Sequence, residues 1–281
     1  MASGVVILAV ELAAGLLANS LALLADAGHQ FADVSAMAAS LGAIWLASRR
    51  PTASRSFGLY RLEILAAAAN ALLLVAVAGF VIWEGVGRLS SAPEVNSGLV
   101  VVVALFALAA NLAAVGFLLR GRGQSLLMRG AFLEVLGDLL GALAVLVSGV
   151  IIALTGFRAA DGLASIGIGL LILPRTWSLL RDSVDILLEA TPKGVDLAEV
   201  RRHIIEAPGV EDVHDLHAWT ITNGMNVVSA HVVMGHGAQP GEILDHLGMC
   251  LSEDFDIGHS TFQLETPEHV RWEGREAHVR P

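Results

Sequence analysis

The stretch Leu21–Ala47 reads LALLADAGHQFADVSAMAASLGAIWLA, an apolar run interrupted by Asp26, His29 and Asp33. A run of this length is enough for a membrane-spanning helix, which needs about 20 mainly apolar residues. An ionisable group at the centre of such a helix costs roughly 2.5–3.5 kcal/mol on insertion scales, so it usually marks an ion or proton path. His29 and Asp33 are four residues apart and share one helical face. The run Leu126–Leu154 repeats the pattern with Glu134 and Asp138. Two such helices facing each other present one imidazole and three carboxylates to a single cation.

Working outward, four more apolar segments are read at Ser3–Ala18, Leu62–Trp83, Gly98–Leu119 and Ala160–Leu180, giving six. Nothing basic precedes the first, and Glu11 interrupts it, so it does not read as a secretory signal peptide. The short loops after the second and fourth segments carry Arg49, Arg50, Arg55, Arg61, Arg120, Arg122 and Arg129, against Arg88 and Arg158 on the other side. The positive-inside rule then puts both termini in the cytoplasm. Glu11, Asn70 and Asn111 read as interhelical hydrogen-bonding groups. Asp26 and Asp161 lie near segment ends and read as caps or interfacial groups.

The rest of the chain is different in kind. Residues 1–182 carry 11 Arg against 10 acidic residues, while residues 183–281 carry 6 basic against 17 acidic residues and nine of the ten histidines. This predicts a membrane domain over 1–182 and an acidic soluble domain over 183–281. An acidic surface excludes nucleic acid as a partner, since phosphate contacts need basic groups. Cys250 is the single cysteine, which rules out an internal disulfide and a multi-cysteine zinc site.

Asp196 with Glu199 reads as a helix start, and Pro208-Gly209 as its stop. Val210–Thr222 and Asn226–Met234 read as strands joined by an Asn223-Gly224 turn. Glu242–Glu253 reads as a helix and Thr261–Leu264 as a third strand. The order αββαβ predicts a small α+β layer domain. Side chains alternate faces in a regular strand, so His214 and His217 should point apart unless a bulge intervenes. His214, His231, His259 and Glu265 are the candidate metal ligands of this domain. His203, His236, His246, His269 and His278 read as surface residues.

Six stretches in order, Ser20–Asp33 (SLALLADAGHQFAD), Phe57–Leu65 (FGLYRLEIL), Arg129–Gly141 (RGAFLEVLGDLLG), Ser183–Pro192 (SVDILLEATP), Pro208–Trp219 (PGVEDVHDLHAW) and Gly258–Glu265 (GHSTFQLE), carry a resemblance. The chain resembles the cation diffusion facilitators, exporters of zinc and related divalent cations, from about Glu11 to about Pro267. The resemblance implies six transmembrane helices followed by a ferredoxin-like cytoplasmic domain that forms a homodimer. It implies a tetrahedral transport site from His29, Asp33, Glu134 and Asp138. Glu134 stands where zinc exporters usually have His. Carboxylates are also at home with harder cations, so Mn²⁺, Fe²⁺, Co²⁺ and Cd²⁺ stay open beside Zn²⁺. His214, His231 and His259 match positions that bear ligands in various members, and Glu265 an acidic one. Gly121–Ser125 contains no histidine for loop-based capture, and Pro51–Leu59 has neither Asp nor His for a second ion.

The expected function is proton-coupled efflux of a divalent cation, most simply Zn²⁺, by alternating access in a bacterial plasma membrane. No prosthetic group is expected; zinc is cargo and a regulatory ion. Metal ligands bind deprotonated, so metal and proton compete for one site. His29 has an ordinary pKa near neutrality. The chain has no Walker A loop for ATP phosphates, so a gradient is the expected energy source. A membrane metalloenzyme is disfavoured because no HExxH motif or separate base is present. A metal sensor without transport would leave the two intramembrane pairs unexplained.

Overall fold

A computed structural model describes residues 2–120 and 126–270. The loop Gly121–Ser125, with Arg122, and His278 lie outside the described residues. The chain divides into two compact units, Met1–Trp45 with Leu65–Arg181, and Leu46–Ile64 with Asp182–Pro281.

The first unit is built from six helices: α1 (Ala2–Ala18), α2 (Leu21–Ala47), α3 (Arg61–Ser91), α4 (Ser97–Arg120), α5 (Leu126–Thr155) and α6 (Ala159–Leu187). By length and apolar character, α3–α6 each suffice to cross a membrane. In α2, three ionisable residues lower the apolar average. The helix α1 is short, with 17 residues. Both α3 and α6 run further than the apolar pattern suggested. Their 31 and 29 residues correspond to roughly 45 Å at 1.5 Å per residue, longer than a hydrocarbon core of about 30 Å.

The entry to α2 is fixed by a buried carboxylate. Asn19 adopts φ 53° and turns the chain between α1 and α2. The side chain of Ser20 then accepts from Leu23 N–H at 3.3 Å, an N-cap bond. Asp161, at the start of α6, accepts from Leu21 N–H at 2.7 Å, Ala22 N–H at 3.3 Å and Ser20 Oγ at 2.5 Å. The reading of Asp161 as a cap holds in an unexpected sense: it caps a helix 140 residues away in sequence. Arg88 of α3 adds a contact to Asp161 at 3.4 Å and donates to the Asn19 carbonyl at 2.7 Å. The helices α3 and α6 come close where both carry glycine. A Cβ on Gly162 would lie 2.9 Å from the Gly85 carbonyl, the small-residue contact that lets membrane helices approach.

In the second unit the elements are α7 (Leu197–Ile205), β1 (Val210–Thr222), β2 (Met225–Met234), α8 (Pro240–Phe255) and β3 (His259–Glu265). This is the αββαβ order read from the sequence. Asp196 caps α7 by accepting from Ala198 N–H at 2.8 Å. The strands lie in the order β1-β2-β3, with β1 and β2 antiparallel and β2 and β3 parallel. Val200 and Ile204 of α7 and Ile243, Leu247 and Leu251 of α8 pack on Val213, Ala218, Val228, Ala230 and Val232 of the sheet. The opposite sheet face carries His214, His231 and Glu265. The connection between α2 and α3 belongs to this unit: Arg61 pairs with Glu189 at 2.8 Å and Thr222 donates to Glu63 at 2.9 Å.

Asp161→Ala strands two buried amides and the Ser20 hydroxyl, and each lost buried partner costs about 1–3 kcal/mol. The expected outcome is a thermal midpoint in detergent several degrees below that of the parent, with Asp161→Asn in between. An unchanged midpoint would show that this cap does not hold α2.

Candidate metal centres

The first centre is formed where α2 meets α5. His29 Nε2 lies 3.7 Å from Asp33 Oδ2 on its own helix and 3.5 Å from Asp138 Oδ1 on α5. One donor atom from each of the three residues falls within 4.8 Å of the others. A tetrahedral ion with bonds of ~2.1 Å spaces its ligand atoms about 3.4 Å apart, so these separations suit a single ion of that kind. His29 Nδ1 and Asp138 Oδ1 are buried without a hydrogen-bond partner. A buried donor or acceptor left this way is costly unless something else engages it.

Glu134 is not gathered with these three. Its carboxylate meets the Arg175 guanidinium of α6 at 2.5 Å. The four-residue cluster expected from the two i, i+4 pairs is therefore three residues here, with Glu134 one helical turn away on α5 and turned to a neighbouring cation. Asp26 also departs from its reading as a cap or interfacial group. It is 5% exposed, and a Cβ on Gly141 of α5 would lie 2.9 Å from its Oδ1. Glu11 is buried, with its Oε2 lacking a hydrogen-bond partner. Arg175 was visible in the sequence as a lone cation within the sixth apolar segment, next to Pro174. The same intramembrane-charge rule that picked out His29 would have found it.

The second centre lies on the sheet face away from the helices. Register pairs His214 with His231 and His231 with Gln263. Glu265, 2% exposed, meets His214 Nε2 at 3.2 Å and His231 Nδ1 at 2.7 Å, and accepts from Gln263 Nε2 at 2.6 Å. His214, His231 and Glu265 form a group able to hold an ion. The expectation that His214 and His217 point apart fails because the strand is irregular between them. Asp215 sits there with φ 49°, a left-handed conformation that Asp tolerates better than most residues. The extra residue returns His217 to the His214 face. Asp215 then bridges His217 Nε2 at 3.0 Å and His231 Nε2 at 3.7 Å.

His259 is not brought into this cluster. It pairs in register with Val227, four residues along β2 from His231, or about 13 Å at 3.3 Å per residue. Its ring instead meets Phe57 edge-on, with centroids 6.2 Å apart. Cys250 lies on α8 and is not gathered with these residues; burial pushes its thiol pKa up.

The comparisons with known proteins agree with this architecture. The family profile described as cation efflux transmembrane domain matches residues 1–188, and that described as cation efflux protein, cytoplasmic domain, matches residues 192–267. The chain belongs to the cation diffusion facilitator family. It is 44% identical to the metal cation efflux system protein CzcD of Cupriavidus metallidurans, over 91% of this chain and 81% of that one. It is 38% identical to the zinc transporter ZitB of Escherichia coli, over 91% and 82%. It is 35% identical to the cadmium, cobalt and zinc/H⁺-K⁺ antiporter of Bacillus subtilis, over 92% and 85%. A member of this family is an integral membrane transporter of divalent metal cations, not an enzyme.

Replacing His214 and His231 together with alanine is expected to lower the divalent ion retained per chain after dialysis of the full-length protein, while His259→Ala retains the parent's content. Loss of metal on His259→Ala would put that residue back in the centre.

Proposed function

We propose that this transporter exports a divalent cation, chiefly Zn²⁺, from the cytoplasm in exchange for protons. The single observation that carries the reading is the gathering of His29, Asp33 and Asp138, with the imidazole 3.7 and 3.5 Å from the two carboxylates and all three donors within 4.8 Å of one another on two helices. One imidazole and two carboxylates suit zinc. The names of ZitB and the B. subtilis antiporter support zinc as cargo, and the latter supports proton exchange. The ligands bind metal in their deprotonated forms, so protons arriving from the far side compete the ion off, and the proton gradient drives release.

In this reading residues 1–182 form the transport domain and residues 183–281 a cytoplasmic domain through which two chains form a homodimer. Both termini face the cytoplasm of a bacterium, as the arginine-rich loops favour. His214, His231 and Glu265, with Asp215 beside them, bind a regulatory ion. Broader cargo, including Mn²⁺, Fe²⁺, Co²⁺ and Cd²⁺, has a specific observation in its favour: two of the three gathered donors are carboxylates, and a third carboxylate, Glu134, lies one turn away.

The test is metal flux into proteoliposomes under an imposed pH gradient. Zn²⁺ flux should require the gradient and fall to background with Asp138→Ala, because loss of one of three donors removes most of the binding. Flux indifferent to the gradient would overturn proton exchange. Flux of Mn²⁺ or Fe²⁺ with none of Zn²⁺ would overturn zinc as the cargo.

A further inference from the structure

We propose that Arg175 is a built-in counter-cation of the transport centre: it withholds Glu134 from the cargo, which keeps binding weak enough to reverse and limits the preference for hard cations. This rests on the reading of His29, Asp33 and Asp138 as the transport ligands. Glu134 and Asp138 are four residues apart and share a face of α5, so Glu134 is sited to act as a fourth ligand. It does not do so here because the Arg175 guanidinium holds its carboxylate.

Charge explains why an arginine belongs at this point. His29 in its neutral form with Asp33, Asp138 and Glu134 presents three negative charges. Arg175 reduces that to two, the amount that one divalent ion cancels. These four residues, Arg175 and the cargo then sum to zero, a less costly condition for ionised groups among apolar helices than an unbalanced charge. Without Arg175 the same residues would hold the ion with one negative charge in excess. That would favour tight binding and oppose release.

The pair is also able to exchange. Neither side chain is enclosed by protein, with 60% of Arg175 and 38% of Glu134 left open, so each has room to turn away from the other. Pro174, immediately before Arg175, lies inside α6, where proline removes a backbone hydrogen bond and loosens the helix. Arg175 therefore sits beside a break in the hydrogen-bond ladder of α6. A guanidinium keeps its charge at any relevant pH. It can act as a permanent competitor for Glu134, whereas the cargo and protons come and go.

The test is equilibrium binding of Mn²⁺ and Zn²⁺ to the full-length protein in detergent, with His214→Ala and His231→Ala in every variant so that the cytoplasmic centre does not contribute. Arg175→Gln should tighten Mn²⁺ binding about tenfold or more, the scale on which an added charged ligand tunes cation sites, and tighten Zn²⁺ binding less. Adding Glu134→Gln to that variant should cancel the gain. Arg175→Met keeps the apolar stem and should give the same result; it decides the matter where the glutamine variant does not fold. The proposal is overturned by affinities unchanged in both variants, or by a gain that persists when Glu134 is glutamine. Asp138→Asn separates the two levels. Metal binding at the membrane centre that survives Asp138→Asn sinks the transport-site reading itself. Loss with Asp138→Asn but no response to Arg175 substitution sinks only the role of Arg175.

Discussion

The anchoring of α2 by Asp161 is the constraint on which the membrane centre depends. The first amides of a helix have no partner within it, and here they are buried. Asp161 supplies an acceptor for two of them and Ser20 for the third. A carboxylate at a helix N-terminus also opposes the positive end of the helix dipole. Its own burial is offset by Arg88, which also binds the Asn19 carbonyl and so fixes the turn before α2. His29 and Asp33 follow at eight and twelve residues from Leu21, about 12 and 18 Å along the axis. A rotation or slide of α2 would therefore move both ligands together relative to Asp138.

The ionisable residues of this unit fall into two groups by the way their charge is met. Asp161 and Glu134 each have an arginine, from α3 and α6 respectively. His29, Asp33 and Asp138 have chiefly one another. In an apolar setting, the second arrangement is stable only with protons or a cation present. Glu11 is likewise buried with its Oε2 unpartnered, so it is the gathering of three donor atoms that marks the candidate metal centre.

Much of this was legible in the sequence. Six apolar segments, the helix cap at Asp196 and the αββαβ order follow from local signals, and the structure has them. Contacts set by partners distant in the chain were less legible. The i, i+4 rule showed that Glu134 and Asp138 share a face, but it cannot say that α6 presents a cation to one and not the other. Strand alternation put His214 and His217 on opposite faces, and a single residue, Asp215, reverses that outcome. His259 was drawn into the cytoplasmic centre because it opens the third strand. The parallel register sets Gln263 beside His231 instead. That register is a pairing with a distant strand, which the local pattern of β3 alone does not reveal.

The two centres are built by different rules, and the rules suit different tasks. In the membrane centre two candidate ligands come from one helix and the third from its neighbour, so their separations change gradually if the helices slide or turn. Packed helices permit such small shear motions. A site of this kind can be loaded in one arrangement and loosened in another without breaking a backbone hydrogen bond. In the cytoplasmic centre the ligands come from three strands whose register is all-or-none: a one-residue slip would turn every side chain to the other face. His214, His231 and Glu265 therefore keep their spacing as long as the sheet persists. An ion there meets a preformed set of donors and must adapt to it, whereas the membrane centre can adapt to its ion. The proposed transport role calls for the second property, and the proposed regulatory role for the first.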